Sequence, residues 1–282
     1  MARIDSLSIF DSAETKAKLA EKYGVVIDNI QKDTISGMLK NRDLSGDPTT
    51  GTVEARRIAN TDSQAYGTAR SGGKGQEIVA PPVVVPLNVN REIINEVEEK
   101  DIRTFGVDDL IARKTLANQR TMERELERAF FAEAVTGGSE FTPTGSTELE
   151  QAEELIQAIE TTNNEFIDGV DRDLITVVCS PEYYGKIRND LDTVAGNANV
   201  DTARSEFRIY HGARFTSSVY LPSGIDAIAM VEGSVAQPVM VTRVDPEKVQ
   251  FSDAYAFGLF FYYGTKTVMG DLIKYVGSEV SA

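Results

Sequence analysis

An α+β fold is what this sequence predicts, and three observations predict it. Residues 107–135 run without Gly or Pro, and Met122, Leu126 and Phe130 recur at i, i+4 spacing. Short apolar runs such as 174–178 and 227–231 have the length and β-branched content of strands. Between Gly46 and Asn90 stand six glycines and four prolines, about twice the chain-wide density, with strand-like sequence on either side. One long helix, several short strands and an extended loop, not in strict alternation, imply that helix and sheet segregate.

Composition narrows the chemistry. The chain has 282 residues and 30.8 kDa, with 44 acidic against 29 basic side chains and a net charge of −15. That length suits one large domain or two modest ones. Hydrophobic content of 41% and charged content of 26% exclude wholesale disorder. No apolar run reaches the ~18 residues a membrane span needs, since residues 254–263 are interrupted by Gly258. Asp5, Asp11 and Glu14 break any signal-peptide core, so a soluble protein made in a cytoplasm is expected. His211 and Cys179 are the only residues of their kinds. Multi-His zinc sites and intrachain disulfides are therefore impossible. Cys179 ends the run 174–178 and reads as a packed thiol with nothing basic beside it; His211 reads as a turn residue. Strong acidity without a basic tract argues against direct duplex binding.

In order along the chain, Asp11 or Ser12 caps a first helix to about Tyr23, and a second short helix spans residues 29–39. These two make an arm. The Gly-rich segment follows, flanked by residues 52–58 and by the alternation Val83, Val85, Leu87, Val89. Its only large apolar residues within 51–77 are Val53, Ile58 and Tyr66, too few to fold on itself. A long hairpin with a flexible tip fits, about 14 residues a side and roughly 45 Å in reach. A two-stranded ribbon is marginal alone, so a neighbouring copy is its expected support. Within residues 51–76, Arg56, Arg57, Arg70 and Lys74 outnumber Glu54 and Asp62, giving a net charge of +2 on an acidic chain.

The acidic run 91–100 reads as a short helix, and Asp108 or Asp109 as the cap of the long helix that Gly137 and Gly138 end. Ser146 or Thr147 opens a helix through Leu149, Ala152, Leu155, Ile156 and Ile159. Residues 174–179 read as a buried strand, and Ser180-Pro181 as a helix start with Ser at N-cap and Pro at N1. A small-residue loop, 192–205, comes next. Strands are expected at 207–210, 214–220, 227–231, 239–241, 249–251, 257–263 and 267–275.

Enzyme motifs fail on inspection. Gly72-Gly73-Lys74-Gly75 lacks the glycine a phosphate loop needs at position 68, which is Thr68, and the hydroxyl residue after the lysine. Asp168 to Asp173 would place Val170 and Arg172 at calcium-ligand positions. No paired carboxylates stand in an evident pocket context.

The order of arm, Gly-rich hairpin, lone spine helix and mixed α/β remainder resembles the major capsid proteins of tailed bacteriophages, with the Hong Kong 97-type fold. The stretch from Gly51 through Arg56-Arg57 and Ala65-Tyr66-Gly67-Thr68-Ala69-Arg70 to Gly75 looks like that family's extended E-loop. Residues 107–135 look like its spine helix, and the run Gly212-Ala213-Arg214-Phe215-Thr216-Ser217-Ser218-Val219-Tyr220-Leu221-Pro222 is similar to a stretch of its axial domain. The resemblance implies an N-terminal arm at 1–45, an E-loop hairpin at 46–90, a peripheral domain at 91–146, an axial domain at 147–238 and a return to the peripheral sheet at 239–282. It further implies a non-enzymatic shell protein without cofactor that forms pentamers and hexamers. Arg56, Arg57, Tyr66, Arg70 and Lys74 would make the intersubunit contacts, with Lys74 facing neighbouring carboxylates rather than forming a cross-link. The expected partners are further copies of itself, a separate scaffolding protein, portal and head-completion proteins, and enclosed double-stranded DNA without sequence-specific binding. There is no membrane partner, and the expected location is the virion, assembled in a bacterial host cytoplasm. Two alternatives remain at this point: an encapsulin-type nanocompartment shell and, in another class, a small carboxylate-dependent hydrolase.

Overall fold

A computed structural model describes residues 35–46, 51–61, 63–67, 72, 77–98, 107–192, 200–201, 206–207, 209–252 and 254–277. The helix expected at 11–23, the residues Arg70 and Lys74, and most of the loop at 192–205 lie outside the described residues.

In chain order the elements are α1 (Ile35–Leu39), β1 (Leu44–Ser45), β2 (Thr52–Arg56), β3 (Pro82–Pro86), β4 (Val89–Glu98), α2 (Val107–Gly137), β5 (Ser139–Glu140) and α3 (Glu148–Glu160). There follow β6 (Ile175–Cys179), α4 (Pro181–Asp192), β7 (Val200–Asp201), β8 (Glu206–Phe207), β9 (Ile209–Tyr210), β10 (Ala213–Ser217) and β11 (Ile225–Val231). The chain ends through β12 (Val235–Ala236), β13 (Val239–Lys248), β14 (Ala254–Tyr263), β15 (Lys266–Thr267) and β16 (Ile273–Gly277). They form two compact units. One comprises Met1–Met38, Pro86–Glu127 and Pro238–Gly264; the other comprises Leu39–Val85, Arg128–Gln237 and Thr265–Ala282.

The first unit is built on the antiparallel sheet β13-β14-β4. Tyr255, Phe257, Leu259, Phe261 and Tyr263 alternate along β14 and are all buried, which is the period-two pattern of a strand with one core face. Gly258 sits opposite Ile94, where an added Cβ would strike the Ile93 carbonyl, so only glycine lets the strands close. Met122 and Leu126 of α2 are buried. Arg91 donates to the Glu125 carboxylate at 2.6 Å, and the Tyr263 hydroxyl donates to the same oxygen at 3.0 Å, tying helix to sheet. Burial, reinforced by Glu125, pushes the Tyr263 phenol up to about 12.

Residues 91–98 are strand and not the expected helix. All ten residues of β4 pair with β14, from Val89 opposite Tyr263 to Glu98 opposite Ala254. Ile93, Ile94 and Val97 mimic helical spacing, but the ladder hydrogen bonds of the apolar β14 override local propensity. Residues 249–252 also depart from expectation: they form the turn joining β13 and β14, closed by Ser252 N donating to Val249 O at 3.2 Å.

The second unit centres on a six-stranded mixed sheet ordered β5-β16-β11-β6-β10-β9. All five residues of β6 are buried, as a central strand covered on both faces requires. Ala152, Leu155, Ile156 and Ile159 of α3 and Tyr183, Ile187 and Leu191 of α4 join its core. Each fully buried aliphatic side chain there contributes about 1.5–3 kcal/mol relative to exposure. α3 begins on a complete capping box: Thr147 accepts from Glu150 N while the Glu150 carboxylate accepts from Thr147 N. α4 begins as the sequence indicates, with Ser180 Oγ accepting from Tyr183 N at 3.2 Å and Pro181 in the first helical position. The strand expected over 267–275 is shorter: a 3-10 turn at Gly270–Leu272 separates β15 from β16.

Candidate intersubunit surface

The Gly-rich segment leaves the second unit as a hairpin. β1, β2 and β3 form a small sheet, with Leu44 opposite Ala55 and Ser45 opposite Glu54. Beyond it Ala59 N donates to Val79 O at 2.9 Å, so the two arms remain paired from Thr52 to Ala59 and from Val79 to Pro86. Among the described residues this pairing is followed as far as Ala59 and Val79.

Its root is fixed to its own unit. Arg57 makes a two-pronged contact with Asp271, Nη1 to Oδ1 at 2.7 Å and Nη2 to Oδ2 at 2.9 Å. Asn164 Nδ2 donates to the second oxygen at 2.6 Å, and the Arg57 guanidinium lies 4.6 Å from the centre of the Phe166 ring. Asn60 N donates to Glu165 O at 2.8 Å. Burial alone would raise the Asp271 carboxyl; the hydrogen bonds from Arg57 and Asn164 outweigh it and hold the group below the usual carboxylate range.

Outward from this root the apolar side chains face solvent. Tyr66 is 94% exposed, Ile78 79% and Ile58 65%, and Val79 and Val84 are about half exposed. Among the described residues the hairpin's own chain therefore leaves these apolar side chains uncovered. Of the five contact residues expected from the sequence, Arg57 is bound within its own chain and Arg56 pairs with Glu54 at 3.1 Å, largely in solvent. Tyr66 stands out on the surface, while Arg70 and Lys74 lie outside the described residues.

Sequence reading missed two exposed apolar residues. Phe251, 90% exposed, occupies the β13–β14 turn with φ of +63°, a strained backbone for a bulky side chain. Val219, 71% exposed, follows Ser218, which anchors to Cys179 O at 2.9 Å. Period-two alternation hides neither, but only the fold shows that their strands have ended.

The residues weighed for chemistry stand at turns, a buried strand and a helix start. His211 and Gly212, at φ of +46° and +100°, make the two-residue turn between β9 and β10. Cys179 is fully buried, and burial together with Asp226 pushes its thiol far up. Glu153 and Glu160 both face Arg172. Burial would raise Glu153, but Arg172 holds its carboxyl down, the opposite of what a general acid requires. Asp108 and Asp109 fall in the first turn of α2. Asp168 accepts from Asn163 Nδ2 at 2.9 Å in a closed turn. Among the described residues no three His, Cys, Asp or Glu side chains group as a metal site, and no helix is long and apolar enough to cross a membrane.

No protein-family model and no curated sequence matches the chain. Solved structures do. The capsid of cyanophage P-SCSP1u superposes with a TM-score of 0.62 over 89% of each chain at 13% identity. The capsid of Ralstonia phage GP4 does so at 0.57 over 82% of this chain and 85% of that one, at 12% identity. A virus-like particle from Pyrococcus furiosus gives 0.55 over 92% and 98%, at 15% identity. The α+β architecture expected from the sequence, the Hong Kong 97-type capsid fold, is the fold of this chain.

Proposed function

We propose that this chain is a capsid shell subunit, the major head protein of a tailed bacteriophage, which self-assembles into the pentamers and hexamers of an icosahedral shell around DNA. The observation that carries the reading is the fold shared with phage capsids over nearly the whole of both chains. The hairpin supports it, because its root is held by its own unit and its apolar residues await cover. In this reading residues 1–45 are an arm, 46–90 the E-loop, 91–146 and 239–282 the peripheral part and 147–238 the axial part. Tyr66, Arg56, Arg70 and Lys74 contact the neighbouring subunit. A separate scaffolding protein directs assembly in the bacterial cytoplasm, and portal and head-completion proteins finish the virion.

Light scattering on purified protein, with and without a co-expressed candidate scaffolding protein, tests the reading. Megadalton particles or capsomers support it, and a persistent monomer overturns it. The likeness to the Pyrococcus furiosus particle keeps one second reading, an encapsulin-type shell. Shell contents separate the two: genome-length DNA for a phage head, a cargo protein for a nanocompartment.

A further inference from the structure

In the second unit the N-terminal end of α3 borders a groove of about 310 Å³ lined by Gly145, Leu149, Glu150, Glu153, Glu154 and Tyr210. Its floor is apolar. Leu149 and Tyr210 are partly buried and pack on the core, and Tyr210 meets Phe215 edge to face at 6.2 Å. Its rim is a row of carboxylates, since Glu150, Glu153 and Glu154 fall at spacings of three and four on one face of the helix.

Two of these carboxylates have only neutral donors among the described residues. Glu150 accepts from Ser146 N and Oγ, each at 2.8 Å, and from Thr147 N at 3.2 Å. Glu154 accepts from Thr144 N and Oγ1, each at 2.7 Å, and from Gly145 N at 3.2 Å. These donors fix both groups in place without neutralising them. Ser146 holds Glu150 below the usual carboxylate range and Thr144 does the same for Glu154, against the repulsion of Glu150. The third carboxylate, Glu153, shares Arg172 with Glu160. An apolar slot under a fixed negative rim suits an aromatic ring that carries an O–H donor and has cations beside it.

Among the described residues two rings stand out in solvent, Tyr66 at 94% exposure and Phe251 at 90%. Within ten residues of Tyr66 the sequence has four basic side chains against one acidic; within ten of Phe251 it has two against three. Arg56 and Arg57 are engaged inside their own chain, yet Arg70 and Lys74 still outnumber Asp62. Phe251 has no O–H to give the rim, and the acids around it are repelled there. Chemistry and charge both select Tyr66.

We propose that this groove receives Tyr66 of a second copy of the chain, its ring on Leu149 and Tyr210 and its phenol donating to Glu150 or Glu154, with the charges of Arg70 and Lys74 drawn to the same rim. Groove and hairpin are different surfaces, so the contact is heterologous and propagates around a ring, as a capsomer requires. The inference rests on the shell reading above and gives its hairpin contact a receiving surface.

The experiment is assembly of the full chain with its candidate scaffolding protein at about 0.15 M salt. Two variants, Tyr66→Cys and Leu149→Cys, are mixed in equal amounts, assembled and oxidised with diamide; the native Cys179 is buried and stays out of the reaction. A disulfide-linked pair of chains is expected from the mixture and from neither variant alone. The inference is overturned if particles form from the mixture without that link, if the link forms only inside a chain that carries both changes, or if Phe251→Cys links to Leu149→Cys as readily. Should either cysteine prevent assembly, two milder variants decide the matter. Tyr66→Phe keeps the ring and loses the donor, while Glu150→Gln with Glu154→Gln keeps the capping acceptors and loses the charge. Each is expected to raise the critical concentration for assembly, read by light scattering, about three- to tenfold. Folding is checked by thermal melting, and assembly like the parent's by either variant overturns the contact. Failure of the parent chain itself to assemble is a different result, since it removes the shell reading as well.

Discussion

Two apolar segments of similar length meet opposite fates. In β6, Ile175–Cys179, every side chain is buried between α3, α4 and the neighbouring strands. In β3, Pro82–Pro86, only Val85 is fully buried, Val84 is half exposed, and prolines stand at both ends. β6 has strands on each side, whereas the ribbon containing β3 narrows to a single pair of arms held by Ala59 and Val79. Apolar residues alone therefore do not make a core; the number of neighbours that a strand can recruit within its own chain does. Where the chain supplies them the segment stabilises its own unit, and where it does not the apolar surface stays open to solvent.

The largest expected effect tests the closed side of this contrast. Ile156→Ala removes a fully buried side chain from the α3–β6 core and is expected to destabilise the subunit by about 2–5 kcal/mol, read as a lower urea midpoint. An effect below about 1 kcal/mol would mean that the second unit is loosely filled and the contrast is overstated. Next in size is Arg57→Ala, which strands the half-buried Asp271 at the hairpin root and is expected to lose about 1–2 kcal/mol. Arg57→Lys should recover little of it, because an ammonium cannot reproduce the two-pronged contact. Proteolysis between residues 57 and 80 should accelerate in both variants while the six-stranded sheet keeps its protection from hydrogen exchange.

A smaller effect separates two carboxylates by the sign of their pH dependence. Asp271, held below its ordinary value of about 3.9, stabilises the root above that value and loses the contribution as pH falls through its lowered pKa. Glu127 in the first unit accepts Ile35 N at 2.7 Å and Ser36 N at 3.3 Å. Burial raises its carboxyl, with Glu123 adding to the effect, and the two backbone donors offset only part. Its contribution is thus present below the ordinary value of about 4.3 and lost as pH rises through the raised pKa. Acid should therefore tighten α1 on α2 while loosening the hairpin root. Exchange protection at residues 35–36 and 57–60, followed across that range, checks this. Glu127→Gln should flatten the first profile and Asp271→Asn the second, and two profiles of the same sign would refute the assignment.

How much of this was legible beforehand follows the same physics. Local signals survived: the Gly- and Pro-free run of α2, the helix start at Ser146 or Thr147 and the Ser180-Pro181 start of α4 each depend on residues within a few positions. β4 was misread because its helical spacing is local while its ten-pair ladder to β14 lies some 160 residues away. The Arg57 clamp had no sequence signal at all, since Asp271 is 214 residues distant. Composition indicated a basic hairpin, yet only the fold shows which of its cations is bound within its own chain.

The smallest expected effect on stability is the sharpest test of the open side. Tyr66→Ser and Ile78→Ser replace residues that are 94% and 79% exposed, so unfolding of the subunit should shift by no more than about 0.5 kcal/mol. In the proposed shell, where a neighbour would cover this surface, removing two large apolar side chains should nevertheless raise the critical concentration for assembly, since each buried apolar side chain is worth about 1.5–3 kcal/mol. Because the proposed shell would repeat the contact at every subunit, a modest loss per contact would become a large loss of particles in an assembly assay. If the variant assembled like its parent, these residues would be exposed in the finished particle too, and the hairpin would differ from β6 only in lacking neighbours, with no partner implied.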